Sequence, residues 1–313
     1  MSRRALAIDL GGTDLRVAVV DETGAILAFA ATRTDSTGGP EAILTQIGNL
    51  VAAVTWETGS IAIVGVGVAA PGPLDPVAGI VIAPPTLQGW SNVPLAAMLR
   101  ERLGLPVAIE NDANAAALGE WRFGAGRGTN HMVFVTVSTG IGGGVIADGR
   151  LLRGHRGMAA EIGHMTISEQ STDSVFGGAP GAWEALASGT ALGKRAALRA
   201  NGGDGAVLRR LAGCSEMTAR HVVEAARAGD LLALSLLADE ARLLGIGFVN
   251  LLHLYSPERL IVGGGLGAAL DLMQDGIART IASRALEAYR TVPVVAAALG
   301  HRAGLVGAAC LIV

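Results

Sequence analysis

The chain has 313 residues, of which 50% are hydrophobic and 16% are charged; this excludes a disordered chain and suits about two domains. Its 24 basic and 27 acidic residues give a formal net charge of -3, which argues against nucleic acid as the main partner. The only cysteines, Cys214 and Cys310, are too few for a disulfide framework and fit a reducing cytoplasm.

No apolar run is long enough to indicate a membrane segment or a secretory signal. The apolar run that follows the two N-terminal arginines is interrupted by Asp9, which leaves it too short for a signal-peptide core. Elsewhere no uninterrupted run reaches about 18 residues, the length that spans a bilayer. We therefore expect a soluble cytoplasmic protein that binds neither membrane nor nucleic acid.

The N-terminal segment predicts three strands, because apolar runs rich in β-branched residues alternate with Asp/Gly turns. These strands cover Ala5–Leu10, Leu15–Val20 and Ala25–Arg33. The elements predicted next are a helix over Glu41–Trp56, a strand over Ile61–Ala69, a helix over Leu95–Arg102 and a strand over Pro106–Glu110.

The same order begins again at Met132, so a duplicated unit is the simplest interpretation. A strand over Met132–Val137, the glycine run "STGIGGG", the strand "VIA", the turn "DGR" and the strand "LL" repeat the first three strands. Helical segments follow, notably the apolar run Leu231–Tyr255, and after them come a strand "RLIVGG" and a helix from about Leu266.

Both halves thus predict the order βββαβα. This order in duplicate is the architecture of the actin-like ATPase (ribonuclease H-like) fold, an α/β fold in which two domains face each other across a nucleotide cleft. We predict a smaller α/β domain over residues 1–115, joined by a C-terminal helix at about 300–313, and a larger α/β domain over 116–299. Ligand sites in open α/β sheets lie at the carboxyl ends of strands, so the glycine turns there are the expected functional sites.

Three glycine-rich turns are candidate nucleotide contacts. Backbone N–H groups in "DLGGT" (Asp9–Thr13) and in "STGIGGG" (Ser138–Gly144) could hold phosphate, and "IVGGGL" (Ile261–Leu266) could close against adenine and ribose. Each loop alone could equally be a plain turn, but two such loops at equivalent points of a duplicated unit favour a function. The residues assigned to nucleotide binding are Asp9, Gly11, Gly12, Thr13, Thr139, Gly140, Gly264 and Gly265.

Two aspartates at predicted strand ends are candidates for the chemistry. Asp9 lies beside the first glycine turn, where a carboxylate can hold Mg²⁺ through water or simply cap the turn. Asp112 follows the strand "PVAI" in "IENDANAAALGE", where it can accept a proton from a hydroxyl that attacks phosphorus. A helix N-cap gives a similar pattern. If Asp112 is the base, Asn111 would orient a substrate hydroxyl.

Taken in order, these motifs resemble those of the ROK family of sugar kinases, repressors and open reading frames. The matching stretches are "AIDLGGT", "GVGVAAPGPLD", "IENDANAAALGE", "VSTGIGGGVIADGRLLRG", "AAEIGHM", "WEALASG", "LIVGGG" and "AGLVGAA". They cover nearly the whole chain, and as an ensemble they are highly specific.

The resemblance implies an ATP- and Mg²⁺-dependent hexose kinase with Asp112 as general base, glucose 6-hydroxyl as acceptor and a homodimeric assembly. N-acetylmannosamine, fructose, mannose, N-acetylglucosamine and allose stay open as alternative sugars, and polyphosphate stays open as an alternative donor. The positions implied to bind sugar are Gly72, Asn111, Asp112, Glu161, His164 and Glu184.

The residues alone leave structural alternatives for the last three of these positions. Glu161 could be a solvated glutamate and His164 a hydrogen-bonded core histidine. Glu184 could be a first-turn glutamate favoured by the helix dipole.

The chain departs from the family pattern after "GGT". Family members commonly have lysine there, whereas this chain has Asp14. Its negative charge lies near the expected phosphates, and its effect on nucleotide affinity depends on where the side chain points.

The second departure is the loss of a zinc module, C-x-C-G-x-x-G-C, that precedes "WEALASG" in most members and to which the histidine of "EIGHM" adds the fourth ligand. Here the cysteine positions are Val175, Gly177 and Ala182, so no tetrahedral structural zinc is expected. We hypothesise that packing holds His164 and Glu161 instead. The apolar or stiff residues available are Val175, Phe176, Pro180 and Trp183.

Two other functions compete with a kinase. A sugar-responsive repressor would need a helix-turn-helix segment, but the first strand begins near Ala5, which leaves no room for one ahead of it. A catalytically weak sugar-binding or regulatory protein is suggested by Asp14 and the missing zinc module. The intact "NDAN" and "EIGH" motifs argue against that alternative.

Overall fold

The strands and helices of the computed structural model follow the sequence pattern closely. The structure describes residues 3–58, 62–175 and 178–313. The strands are β1 Arg4–Leu10, β2 Asp14–Asp21, β3 Ile26–Arg33, β4 Gly65–Ala70, β5 Leu74–Asp75, β6 Ile80–Val81, β7 Val107–Asn111, β8 Met132–Val137, β9 Ile141–Ala147, β10 Arg150–Leu151, β11 Arg259–Gly263 and β12 Val294–Ala296. Ile61, the first residue of one predicted strand, lies outside the described residues.

Helices fill most of the segments between the strands. The α-helices are α1 Gly39–Thr58, α2 Leu95–Leu103, α3 Asp112–Phe123, α4 Trp183–Ala187, α5 Gly189–Ala200, α6 Ala206–Ala212, α7 Ala219–Arg227, α8 Leu231–Tyr255, α9 Gly264–Gly267, α10 Gln274–Arg284 and α11 Ala303–Ala309. Short 3₁₀ turns cover Ile162–His164, Gly203–Gly205, Leu270–Leu272, Glu287–Tyr289 and Gly300–Arg302. No helix in the described ranges combines the length and the apolar character that crossing a membrane requires.

Two five-stranded sheets share one arrangement. Their strand orders are β3-β2-β1-β4-β7 and β10-β9-β8-β11-β12. In the first sheet, β1, β2 and β3 pair antiparallel, whereas β1, β4 and β7 pair parallel. In the second, β9 and β10 pair antiparallel, whereas β8, β11 and β12 pair parallel. The sheets therefore confirm the predicted duplication of an α/β unit.

The helix predicted from about Leu266 is interrupted, so that prediction was wrong in detail. The chain instead forms α9, a 3₁₀ turn at Leu270–Leu272 and then α10. Leu266, Leu270, Met273 and Ile277 are all buried and keep a spacing of three or four residues across the interruption. Because this spacing is that of a continuous amphipathic helix, apolar periodicity alone cannot reveal the break.

The chain forms two units by its internal contacts. The first unit comprises Met1–Gly128, Gly144–Ala160 and His301–Val313, and the second comprises Thr129–Gly143 and Glu161–Gly300. The C-terminal helix α11 thus belongs to the first unit.

Strand β1 shows how the first unit builds its core on both faces of the sheet. Side chains alternate between the faces of a strand, and in "ALAIDL" the large residues alternate with alanines. Leu6, Ile8 and Leu10 join the large aliphatic core to which α1 and α2 contribute. Ala5 and Ala7 join a second cluster of small residues to which α11 contributes. Small side chains on that face let α11 lie close to the sheet.

Glycines bring α11 into direct backbone contact with its neighbours in the first unit. A Cβ built on Gly307 would lie 1.6 Å from the Ala115 carbonyl oxygen in α3. A Cβ on Gly67 of β4 would lie 1.8 Å from the Ala308 carbonyl oxygen. No side chain fits at either position, so the two helices and the strand are held at a fixed separation.

The substitution Gly307→Ala should therefore destabilise the protein by at least about 1–3 kcal/mol, since the added methyl group forces α11 away from α3. Gly48→Ala is the matched control, because a Cβ there meets nothing within 4 Å and alanine favours the helix. Urea unfolding of both variants measures the difference. Equal stability of the two variants would contradict the close packing.

Candidate active site

Three parallel strands of the first unit end at the same edge of their sheet. Asp9 of β1 pairs with Ala69 of β4, and Ala69 pairs with Glu110 of β7. The segments that follow these ends carry the glycine turn Gly11–Thr13, Gly72, and the pair Asn111 and Asp112. The register therefore brings together candidate residues from three separate motifs.

The glycine turn Gly11–Thr13 is closed by backbone hydrogen bonds. The N–H of Gly11 donates to the Asp14 carbonyl oxygen at 3.0 Å. The N–H of Thr34 donates to the Thr13 carbonyl oxygen at 2.9 Å. A Cβ on Gly12 would lie 2.6 Å from Cβ of Thr86. Thr86 thus adjoins the turn, although its position in the loop "APPTLQG" gave no sequence signal for this contact.

Four charged side chains form a cluster beside this turn, which we call the β1–β3 charge cluster: Asp9, Asp14, Arg16 and Arg33. Arg16 donates to Asp9 Oδ2 and to Asp14 Oδ2, both at 3.1 Å. Arg33, which pairs with Asp14 in the strand register, approaches Asp14 Oδ1 at 3.4 Å. Two carboxylates thus face two guanidinium groups, and the charge that Asp14 adds is balanced locally.

Asp9 is the most enclosed carboxylate of this cluster, with a side chain that is 15% exposed. Burial raises its pKa, while the adjacent Arg16 opposes that change and Asp14 adds to it. A Cβ on Gly304 would lie 3.2 Å from Asp9 Oδ1. The absence of a side chain at position 304 keeps space beside that oxygen.

The turn before α3 divides its roles between Asn111 and Asp112. Asn111 Oδ1 caps the helix by accepting from the N–H groups of Ala113 at 2.9 Å and Asn114 at 3.3 Å. Asp112 is exposed, and its Oδ1 accepts from the Ala113 N–H at 2.8 Å. The N-cap that the sequence pattern suggested is therefore Asn111, and Asp112 is the first residue of the helix.

Gly72 lies against the amide of Asn111. A Cβ on Gly72 would approach Asn111 Nδ2 to 3.1 Å. The peptide bond between Gly72 and Pro73 is cis. Glycine at this position therefore keeps space next to the amide nitrogen, which the helix cap does not use.

In the second unit, the glycine loop after β8 is joined to Glu184 of α4. Glu184 Oε2 accepts from the Ile141 N–H at 2.7 Å, and a Cβ on Gly140 would lie 2.4 Å from the same oxygen. The Thr139 carbonyl oxygen accepts from the Thr190 hydroxyl at 2.8 Å. The "STGIGGG" and "WEALASG" motifs therefore form one structure.

In the same unit, Glu161 directly precedes the 3₁₀ turn Ile162–His164, and His164 is the last residue of that turn. A Cβ on Gly163 would lie 3.4 Å from Cβ of Glu184, so this turn also adjoins α4. His164 is exposed, which excludes a core histidine. Glu161 is exposed as a residue, yet neighbouring atoms desolvate its carboxyl group enough to raise its pKa, which His164 opposes and Glu184 reinforces.

The third glycine turn follows β11, which pairs parallel with β8. Gly264 has a positive φ of 79°, and a Cβ there would lie 2.4 Å from the Val137 carbonyl oxygen at the end of β8. A Cβ on Gly265 would meet nothing within 4 Å. The turn thus adjoins the strand that leads into Ser138–Gly140, and Gly265 leaves an open backbone surface.

The residues at the zinc-module positions do not fit zinc. Val175 has no ligand atom in its side chain, and Ala182 is fully buried and likewise offers none. Gly177 and Phe176 lie outside the described residues. A Cβ built on Gly178 would lie 3.4 Å from Cδ2 of His164 and 2.7 Å from Cγ2 of Val175. Gly178 therefore lies close to both Val175 and His164.

Backbone hydrogen bonds and Trp183 anchor this segment. The Trp183 N–H donates to the Met165 carbonyl oxygen at 2.7 Å, and that of Gly181 donates to the Asp173 carbonyl oxygen at 2.8 Å. The fully buried Trp183 ring donates from Nε1 to the Leu243 carbonyl oxygen at 3.1 Å. It also meets Phe248 edge-on at 5.6 Å.

Duplicated sheets with glycine turns at the ends of parallel strands define an actin-like ATPase fold. The profile of the ROK family matches residues 5–313, and the chain belongs to this family.

Known relatives resemble the chain over its whole length. The glucokinase of Streptomyces coelicolor is 39% identical over 323 aligned positions, which cover 98% of this chain and 96% of the relative. The glucokinase of Thermotoga maritima is 36% identical over 311 positions, which cover 99% and 97%. The structure of a ROK family glucokinase from Streptomyces griseus in complex with glucose and AMPPNP has 38% identity and a TM-score of 0.86 over 99% of both chains.

We predict that the purified protein holds no structural zinc, because Val175 and Ala182 supply no ligand atom. Elemental analysis after dialysis should find well below one zinc per chain, and EDTA should leave the thermal midpoint unchanged. One tightly held zinc per chain, with a lower midpoint after chelation, would overturn this prediction.

Proposed function

We propose that this chain is an ATP-dependent hexose kinase that transfers the γ-phosphoryl group of ATP to the 6-hydroxyl of glucose. The observation that carries the proposal is the shared edge of the first sheet, where the turn Gly11–Thr13 and Asp112 follow parallel strands. Membership of the ROK family and similarity to glucokinases support it.

Backbone N–H groups are the proposed phosphate contacts. Gly11, Gly12 and Thr13 supply them in the first unit, and Thr139 and Gly140 supply them in the second. Glycine suits this task because a phosphate can approach its backbone closely. The third turn, with Gly264 and Gly265, is proposed to contact the adenosine, and the open space at Gly265 supports that role.

Asp9 is the proposed contact for Mg²⁺, through water. A carboxylate suits this cation, which usually keeps several of its own waters. A side chain at position 304 would crowd Asp9 Oδ1, so glycine there leaves this oxygen open to such an ion. When bound, Mg²⁺ would neutralise charge on the phosphates.

Asp112 is the proposed general base. The sugar hydroxyl oxygen forms a bond to the γ-phosphorus while the bond from phosphorus to the bridging oxygen breaks, so ADP leaves. The hydroxyl proton passes to the Asp112 carboxylate. The N–H of Ala113, which donates to Asp112 Oδ1, restricts the rotation of this carboxylate.

The remaining polar residues are proposed to bind the sugar. The amide nitrogen of Asn111, beside Gly72, can donate to a hydroxyl group. Glu161, His164 and Glu184 offer carboxylates and an imidazole, which suit a polyol. His164 and Glu184 both lie near enough to the Glu161 carboxyl group to influence its pKa, which supports a shared role.

We further propose a homodimer in the cytoplasm. The dimer rests on family resemblance, and light scattering that gives the mass of one chain would exclude it. The location rests on the need for a cytoplasmic ATP pool.

A panel of hexoses tests the proposal directly. With ATP and Mg²⁺, glucose should give the highest kcat/KM, and mannose, fructose, allose and the two N-acetylated amino sugars should give lower values. Coupled ADP release measures each rate. ADP release that no sugar stimulates would exclude a kinase, and polyphosphate in place of ATP tests the donor.

The variant Asp112→Ala should lose about 10²-fold or more in kcat, since it removes the proposed general base. Calorimetry should show that it still binds glucose. Near-normal turnover would remove Asp112 from the mechanism.

The variant Asp14→Asn should lower the KM for ATP by about two- to fivefold at low salt, because it removes a negative charge beside the phosphate turn. Asp21→Asn is the matched control, since it removes the same charge from the other end of β2. The gain should shrink as salt rises. A higher KM would instead show that Asp14 acts by holding Arg16 in place.

A further inference from the structure

A fully buried carboxylate directly precedes the proposed catalytic turn. Glu110, at the end of β7, is 0% exposed. Its Oε1 accepts from the Asn111 N–H at 3.0 Å and from Asn114 Nδ2 at 3.1 Å. Its Oε2 accepts from Arg153 Nε at 2.7 Å. Both oxygens therefore have partners, and Arg153 supplies a countercharge.

The contacts of Glu110 reach both ends of the turn Asn111–Asn114, which contains Asp112. The Asn111 contact fixes the backbone just before Asp112, and the Asn114 contact fixes the first turn of α3 just after it. Asn114 is itself 2% exposed, so its amide has little freedom to find another partner. The Glu110 carboxylate thus holds the residues on both sides of Asp112.

Arg153 comes from a different segment of the first unit, just after β10. Its side chain bonds to Glu110, and its carbonyl oxygen accepts from the Ala159 N–H at 3.1 Å. The loop that this bond closes ends two residues before Glu161 in the chain. A charged partner matters here, because a buried carboxylate without one is costly and would move towards water.

We propose that Glu110 and Arg153 form a positioning pair that sets the orientation of the Asp112 carboxylate. Arg153 acts through Glu110 and needs no contact with substrate. The expected effect of this pair on kcat rests on the proposed function. Its effect on the order of residues Asn111–Asn114 does not.

The kinetic test uses Arg153→Ala and Arg153→Lys, with Arg102→Ala as control. Arg102 forms an ion pair with Glu41 at the surface of the same unit, outside the proposed site. Arg153→Ala should lower kcat for glucose about 10²-fold, the cost of a small misplacement of a reacting group, and should shift the acidic limb of the kcat–pH profile. Glucose affinity by calorimetry should change little. The kcat of Arg153→Lys should lie between those of the wild-type protein and Arg153→Ala.

Added guanidinium ion should restore part of the lost kcat of Arg153→Ala and none of that of Asp112→Ala. Wild-type kcat and an unchanged pH profile in Arg153→Ala would overturn the proposal. If that variant does not fold, Glu110→Gln takes its place, since glutamine has nearly the same volume and keeps one acceptor oxygen. It should show the same loss of kcat and the same shift of the acidic limb. A normal kcat and pH profile in Glu110→Gln would equally overturn it.

Hydrogen exchange separates this inference from the proposed function. The amides of residues 111–114 should exchange faster in Arg153→Ala, or in Arg153→Lys if only that variant folds, and should keep the wild-type rate in Arg102→Ala. Faster exchange together with a wild-type protein that phosphorylates no sugar would support the positioning pair and refute the kinase. Unchanged exchange would refute the pair whatever the enzyme does.

Discussion

The backbone contact of α11 with α3 and β4 is the constraint on which the first unit depends. Gly307 and Gly67 let these elements touch with no side chain between them. Close-packed interiors resist small displacements, so α3 has one position relative to the sheet. Asp112 is the first residue of α3, and Ala115, which contacts Gly307, lies in the same first turn. The packing of α11 and the hydrogen bonds of Glu110 therefore act on the same end of the helix, beside Asp112.

Local pattern was sufficient to predict much of this fold. The sequence indicates α8 with the bounds that the structure has, Leu231–Tyr255, since a long apolar run between turn residues has few other interpretations. It also indicates β1 and the glycine turn after it. The strand β12 was not predicted, because three residues without a distinctive pattern become a strand only by pairing with β11.

The contacts that shape the candidate site were harder to predict. Glu110 and Arg153 are 43 residues apart, and their partnership follows from how the segment after β10 lies in the first unit. Thr86 likewise adjoins Gly12 only because the tertiary structure brings two distant segments of the first unit together. Glu110 lies in the motif "IENDANAAALGE" and Arg153 in "VSTGIGGGVIADGRLLRG", but a motif does not show which of its residues bond to another segment; only the tertiary structure shows that.

The segment at the zinc-module positions is held by backbone hydrogen bonds and aromatic packing. A metal fixes its ligands through a few strong directional bonds, whereas packing fixes them through many weak contacts. Here Trp183 is anchored at both its backbone and its ring, and Gly178 lies beside His164. Trp183 directly precedes Glu184 in α4, so the contacts that anchor Trp183 also fix the backbone from which this proposed sugar contact projects.

In the β1–β3 charge cluster, two arginines offset the negative charge of Asp14. An aspartate beside a phosphate turn would repel a nucleotide if it stood alone, yet Asp14 lies within 3.1 Å of Arg16 and 3.4 Å of Arg33. Arg16 is also bonded to Asp9, so one guanidinium group is shared by Asp14 and the proposed magnesium contact. Arg16 lies two positions after Asp14 on the same strand, and its positive charge offsets part of the negative charge that Asp14 brings to the turn.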